Sequence, residues 1–80
     1  VTTRDDIRGW LKEGQRQGAS HVIVACDMFD YSDFPVYVLS PKTSREEVKR
    51  ITDGGNGIME CYNLSLDLEE QLARHRCYEY

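Results

Sequence analysis

The stretch His-Val-Ile-Val-Ala-Cys-Asp, residues 21–27, constrains the fold more than any other part of the chain. β-Branched side chains crowd a helix and suit a pleated strand. A strand with one wet face alternates apolar and polar residues. This one is apolar almost throughout, so it is covered on both faces or lies at the centre of a sheet. The rest of the fold has to supply that cover.

Two more strands are legible. Val36 to Leu39 follows Pro35, which stands at the first strand position, where a missing N–H is tolerated. No helix separates it from the first strand, so an antiparallel hairpin is the natural pairing. Ile58 to Leu64 forms the third strand. Simple alternation puts Ile58, Glu60, Tyr62 and Leu64 on one face and Met59, Cys61 and Asn63 on the other.

Three helices complete the reading. Thr3 caps a helix from Arg4, with Asp5 and Asp6 in its positively polarised first turn. Ile7, Trp10, Leu11 and Gly14 share one face, and Gly18 suits the C-terminal cap. Gly9 and Gly14 inside this helix each cost about 1 kcal/mol relative to alanine, so the helix is weak or something packs closely there. Ser44-Arg45-Glu46-Glu47 reads as a capping box opening a second helix, with Val48 and Ile51 as its buried pair. Gly54-Gly55-Asn56-Gly57 ends it. A phosphate cradle runs from strand into helix, and here the polarity is reversed, so a turn is the better reading. Ser65 or Asp67 starts a last helix carrying Leu68, Leu72 and His75 in line, and the tail Cys77–Tyr80 docks or frays. The order αββαβα predicts an α+β fold in one small domain over residues 1–80. Its sheet is three-stranded and mainly antiparallel, with helices flanking one side or both.

Composition excludes several classes. The chain has 80 residues, 40% hydrophobic and 30% charged, which is globular usage. No apolar run approaches the roughly 20 residues needed to cross a bilayer, so no membrane role is expected. No charged-then-apolar leader opens it, which predicts a cytoplasmic location. The three cysteines, Cys26, Cys61 and Cys77, leave one thiol unpaired in any monomeric disulfide scheme, as expected in a reducing compartment. His75 with Cys77, or His21 with Cys26, lacks the tight knuckle spacing of zinc sites, so neither metal nor cofactor is expected. Net charge is −4, which argues against a nucleic-acid binder. No nucleophile stands beside a base in any known elbow, and His75 lies among leucines. The chain is therefore read as a non-enzyme with no catalytic residue. A short sheet with a free edge favours self-association, with a homodimer the simplest outcome.

Two constellations remain as sites. Residues 19–40 contain no Lys or Arg; their acids are Asp27, Asp30 and Asp33, interleaved with Phe29, Tyr31 and Phe34. The spacing of three, the missing glycine and Val38 at the twelfth place exclude an EF-hand calcium loop. Exposed rings beside fixed carboxylates have the composition of a binding surface. Such a loop grips a basic protein patch or stacks a flat ligand. The competing reading folds Phe29 and Phe34 onto the core and spends the aspartates on the turn. The second constellation is Arg4, Arg8, Lys12 and Arg16, four apart on helix 1. It forms a basic ridge for an anionic ligand, with Tyr31 or Tyr37 for stacking, or else an ordinary solvated face.

The segment Cys26-Asp27-Met28-Phe29-Asp30, followed by Asp33-Phe34-Pro35-Val36-Tyr37-Val38, resembles a group of small phage and bacterial proteins without an assigned activity. The likeness extends to the opening Thr-Thr-Arg-Asp-Asp-Ile-Arg-Gly-Trp-Leu-Lys-Glu-Gly and the closing Leu-Glu-Glu-Gln-Leu-Ala-Arg-His-Arg. It implies a cytoplasmic accessory protein of viral origin and carries over no functional residue. The expected function is accordingly a non-catalytic protein that binds a host partner or itself through Asp27, Phe29, Asp30, Tyr31, Asp33 and Phe34. The alternative is a binder of a nucleotide-type signal, using Arg4, Arg8, Lys12, Arg16 and Tyr37.

Overall fold

The computed structural model describes residues 1–80. The elements are α1 (Arg4–Gln17), β1 (His21–Cys26), β2 (Asp33–Val38), α2 (Ser44–Asp53), β3 (Gly57–Asn63) and α3 (Leu68–Ala73). The sheet has three antiparallel strands in the order β2-β1-β3, which is the α+β arrangement expected. β1 is central, and its residues from Val22 to Cys26 are all buried. Val22 and Val24 point into a core with Ile7, Leu11, Tyr62, Leu72 and Cys77. Ile23 and Ala25 point the other way, into a core with Val38, Ile51 and Cys61. Thus α1 and α3 cover one face and α2 covers the other.

The helix ends follow from hydrogen bonding. Thr3 Oγ1 accepts from Asp6 N at 3.1 Å, and Asp6 Oδ2 accepts from Thr3 N at 3.0 Å, a complete capping box. Gly18 closes α1 in the left-handed region at φ 76°. The box on α2 sits one residue earlier than expected: Thr43 is the cap and Glu46 its partner. Ser44 becomes the first helical residue and is buried, while Glu47 pairs with Arg50 at 2.7 Å. Asp67 caps α3, which ends at Ala73, so His75 lies beyond the helix and not in line with its leucines.

β2 begins at Asp33, earlier than Val36, and Pro35 lies inside it opposite Val24. Asp27 N donates to Ser32 O at 2.8 Å at the tip end of this ladder. Alternation from that pair turns the Phe34, Val36 and Val38 amides toward β1 and Pro35 toward the free edge, where no ladder bond is lost. In β3 the register shifts between Val24 and Ala25: Val24 faces Glu60, Ala25 faces Ile58, and Met59 is the extra residue. This bulge overturns the simple alternation. Ile58 packs with Cys61 on the α2 side, and Met59 packs with Tyr62 on the α1 side.

The far edge of β3 is closed by the tail. Cys61 N donates to Cys77 O at 2.8 Å and Glu79 N to Cys61 O at 2.9 Å, a parallel bridge that docks residues 77–79. Beside it the fully buried Gln71 amide makes two 2.9 Å bonds to the backbone of Asn63, acting as one more residue of sheet. No helix is long and apolar enough to cross a membrane.

The two glycines of α1 separate by environment. A Cβ on Gly9 would meet nothing within 4 Å, whereas one on Gly14 would lie 2.6 Å from Val22 Cγ2 and 3.1 Å from Leu64 Cδ1. Close helix–strand packing therefore accounts for Gly14 and not for Gly9. Gly9→Ala is expected to raise unfolding free energy by about 1 kcal/mol, the helix-propensity difference. Gly14→Ala is expected to lower it by about 1–3 kcal/mol through overpacking. Urea unfolding of both variants measures the two signs.

Candidate functional site

The tip of the β1–β2 hairpin is a closed turn, not a loose loop. Asp27 Oδ1 accepts from Phe29 N at 2.8 Å, and Asp27 O accepts from Tyr31 N at 2.7 Å. Asp30 Oδ1 accepts from Ser32 N at 3.0 Å and from Ser32 Oγ at 2.7 Å. Tyr31 occupies the left-handed region at φ 60°, which a tyrosine adopts only where its surroundings hold it. The Ser32 hydroxyl and amide hold the Asp30 carboxyl below its usual pKa. Asp27 and Asp30 thus spend one oxygen each on the turn, as the competing reading of this segment held.

The rings divide. Phe29 is 95% exposed and Tyr31 73%, with Met28 at 52% between the two strands' ends. Phe34 is on β2, half-buried against the Ile23, Ala25 and Ile51 cluster. Phe34 therefore belongs to the wall under the tip and not to its outer surface. Asp33 is half-buried on the same strand and, with Tyr31 and Met28, lines a groove of about 790 Å³. Met59, Asp6 and Arg76 line it too. A smaller cleft of about 280 Å³ continues from Asp33 and Arg76 toward Arg4, Glu60 and His75. Met28, Met59, Asp6 and Arg76 were not singled out as site residues from sequence, because nothing local brings residues 6, 28, 59 and 76 together, and His75 was weighed only as a metal ligand or a base.

The helix 1 ridge is present but largely committed. Arg4 turns inward: its guanidinium donates to Glu60 at 2.8 Å, to Tyr62 Oη at 2.7 Å, and to the carbonyls of Arg74 and His75 at 3.0 and 3.2 Å. Glu60 is only 2% exposed and also accepts from Tyr62 Oη and Cys77 N. Burial, then the adjacent Glu60, push the Tyr62 hydroxyl pKa up. Arg8 bridges Asp5 at 2.7 Å and Glu69 at 3.0 Å, and Arg16 pairs with Glu13. Lys12 alone of the four makes no ion pair. Tyr37 is half-buried against the core beside Gly14.

The thiols are poor nucleophiles. Burial pushes the Cys61 pKa up to about 12, and burial also raises Cys77 and Cys26, with Asp33 adding to the effect at Cys26. No group of three or more His, Cys, Asp or Glu side chains is placed to hold a metal ion. His21 Nε2 is buried without a hydrogen-bond partner, while Nδ1 meets Ser20 Oγ at 2.9 Å. Burial lowers the His21 pKa, and the nearby Tyr80 backbone opposes the effect.

No protein-family model, curated protein or solved structure matches the chain.

Two outcomes test this geometry. Arg4→Met leaves the Glu60 carboxylate buried without its cation, and is expected to cost about 2–3 kcal/mol of stability, with part regained in Arg4→Met/Glu60→Gln. Chemical denaturation of the single and double variants measures this. The second concerns pH. His21 is harder to protonate folded than unfolded, so the unfolded chain binds more protons as pH falls below about 6.5. Stability is therefore expected to fall between pH 7 and pH 5, above the range where the depressed Asp30, Glu46 and Glu69 carboxyls act. His21→Gln should flatten this slope in urea midpoints taken across the window.

Proposed function

We propose that this protein is a non-catalytic binding protein that engages a protein partner through the β1–β2 tip. The observation that carries the reading is the pair of exposed rings, Phe29 and Tyr31, on a turn closed by backbone and aspartate hydrogen bonds. Folding stability gains little from a ring left in water, whereas covering a Phe side chain releases about 1.5–3 kcal/mol. A turn already locked also loses little conformational entropy when it docks. Tip rings on a buried hairpin thus favour association over folding.

The ligand alternative through Arg4, Arg8, Lys12, Arg16 and Tyr37 draws less support. Using the ridge requires breaking the Arg4 and Arg8 links to Glu60 and Glu69, and the Arg4 links hold the tail in place. The three buried free thiols support a reducing compartment, and with the phage-like segment they support a cytoplasmic accessory role. A second copy of the chain fits this tip less well, since tip-to-tip contact sets Asp27, Asp30 and Asp33 against their own like charges.

Phe29→Ala and Tyr31→Asn test the reading, the latter because asparagine tolerates the left-handed turn. Both are expected to stay within about 0.5 kcal/mol of wild-type stability, as surface changes do. Partner retention in a pull-down, or self-association by light scattering, is expected to fall at least tenfold. Phe34→Ala is expected to behave differently, losing about 1–3 kcal/mol of stability through the core it packs on. Equal retention by wild type and both tip variants would remove the tip from the function.

A further inference from the structure

The tip does more than expose rings; it also carries three of the six acids that make no ion pair. The eight ion pairs of the structure join residues of the helices, Glu60 and the tail, and none includes Asp27, Asp30 or Asp33. Asp27 and Asp30 each commit one oxygen to the turn, leaving the second without a hydrogen bond to the chain. Phe29 and Tyr31 likewise have no ring partner: the stacked pair of the structure is Tyr78 with Tyr80, and its one cation–π contact is Arg45 over Tyr80 at 5.2 Å. No Lys or Arg lies between residues 19 and 40 to neutralise this surface.

The groove beneath adds shape. Met28, Tyr31 and Asp33 line it from the hairpin, Met59 from β3 and Asp6 from α1. Arg76 and Val1 also line it. The excess of negative charge therefore lies with the hairpin, whose residues 19–40 bring Asp27, Asp30 and Asp33 and no cation, and it is the hairpin that complements a positive charge.

We infer that the partner presents an arginine-bearing segment to this hairpin. The inference rests on the tip being the docking surface and names what docks. Three needs meet in one side chain. Its aliphatic stem covers the methionines, its planar guanidinium stacks on an exposed ring, and its fork of N–H donors meets the free carboxylate oxygens. A lysine supplies charge without plane or fork, so arginine is preferred.

The test is a titration of isotope-labelled protein, followed by amide NMR shifts, with the peptide acetyl-(Ala-Ala-Arg)₄-amide and its lysine and glutamate counterparts. The expected result is saturable movement of the Phe29–Asp33 amides with the arginine peptide, at least threefold weaker binding of the lysine peptide, and none of the glutamate peptide. Tyr31→Asn and Asp33→Asn are expected to weaken the arginine peptide at least tenfold, while Asp53→Asn, on the remote end of α2, leaves it unchanged. Equal binding of lysine and arginine, shifts spread over α3 and the tail, or equal weakening by Asp53→Asn would overturn the assignment. A partner whose retention depends on Phe29 while the arginine peptide leaves the tip unmoved would also overturn it, and the tip would stand as a binding surface. Loss of both would remove the tip as well.

Discussion

Everything in this fold answers to the burial of β1 on both faces. Val22 and Val24 on one side and Ile23 and Ala25 on the other cannot be covered by a single layer. One pair of helices and one opposing helix are therefore required, and the sheet is held between them. β1 also pairs on both edges, so its end at Cys26 is anchored from four directions. A turn growing from such a strand inherits its position. That is why six residues, Asp27 to Ser32, hold a defined shape with few side chains packed against them.

A second, smaller constraint closes the molecule. Glu60 points into the α1 side of the sheet, where an unpaired carboxylate is costly. Arg4, Tyr62 and the Cys77 amide satisfy it, and Arg4 also binds the carbonyls that lead into the tail. The first turn of α1 is thereby tied to the last residues of the chain. The tail in turn hydrogen-bonds Cys61 and covers the β3 edge. A strand edge open to solvent invites pairing with other chains, so the pairing of Arg4 with buried Glu60 protects the sheet as well as the carboxylate. β2 forms the other edge, and Pro35 interrupts its outward donors.

Local chemistry made the elements legible. Caps, glycine stops and the β-branched run located α1, the central strand β1 and the hairpin, because each signal lies within a few residues of what it controls. The misplacements have the same origin in reverse. Thr43 and Ser44 are both competent caps, and only the burial of Ser44 chooses between them. Alternation on β3 fails at Met59 because the bulge is a fit to β1, invisible along β3 itself. Of the tip residues, Phe29 and Tyr31 stand outward, but Phe34 has a long-range partner in the core. Arg4 looked like part of a surface ridge because its spacing is helical. Its partners lie more than fifty residues away, beyond any reading by spacing. The groove under the tip joins α1, both hairpin strands, β3 and the tail, so it exists only once the chain has closed.

The functional account depends on the tip being ordered before any partner arrives. Rings on a floppy loop would lose in entropy much of what their burial returns, whereas rings on a locked turn keep it. Backbone amide relaxation of the free protein measures this directly. The account predicts order parameters for Phe29 to Ser32 near those of the strands, about 0.85. Values below about 0.6 across these residues would show a mobile loop and contradict it.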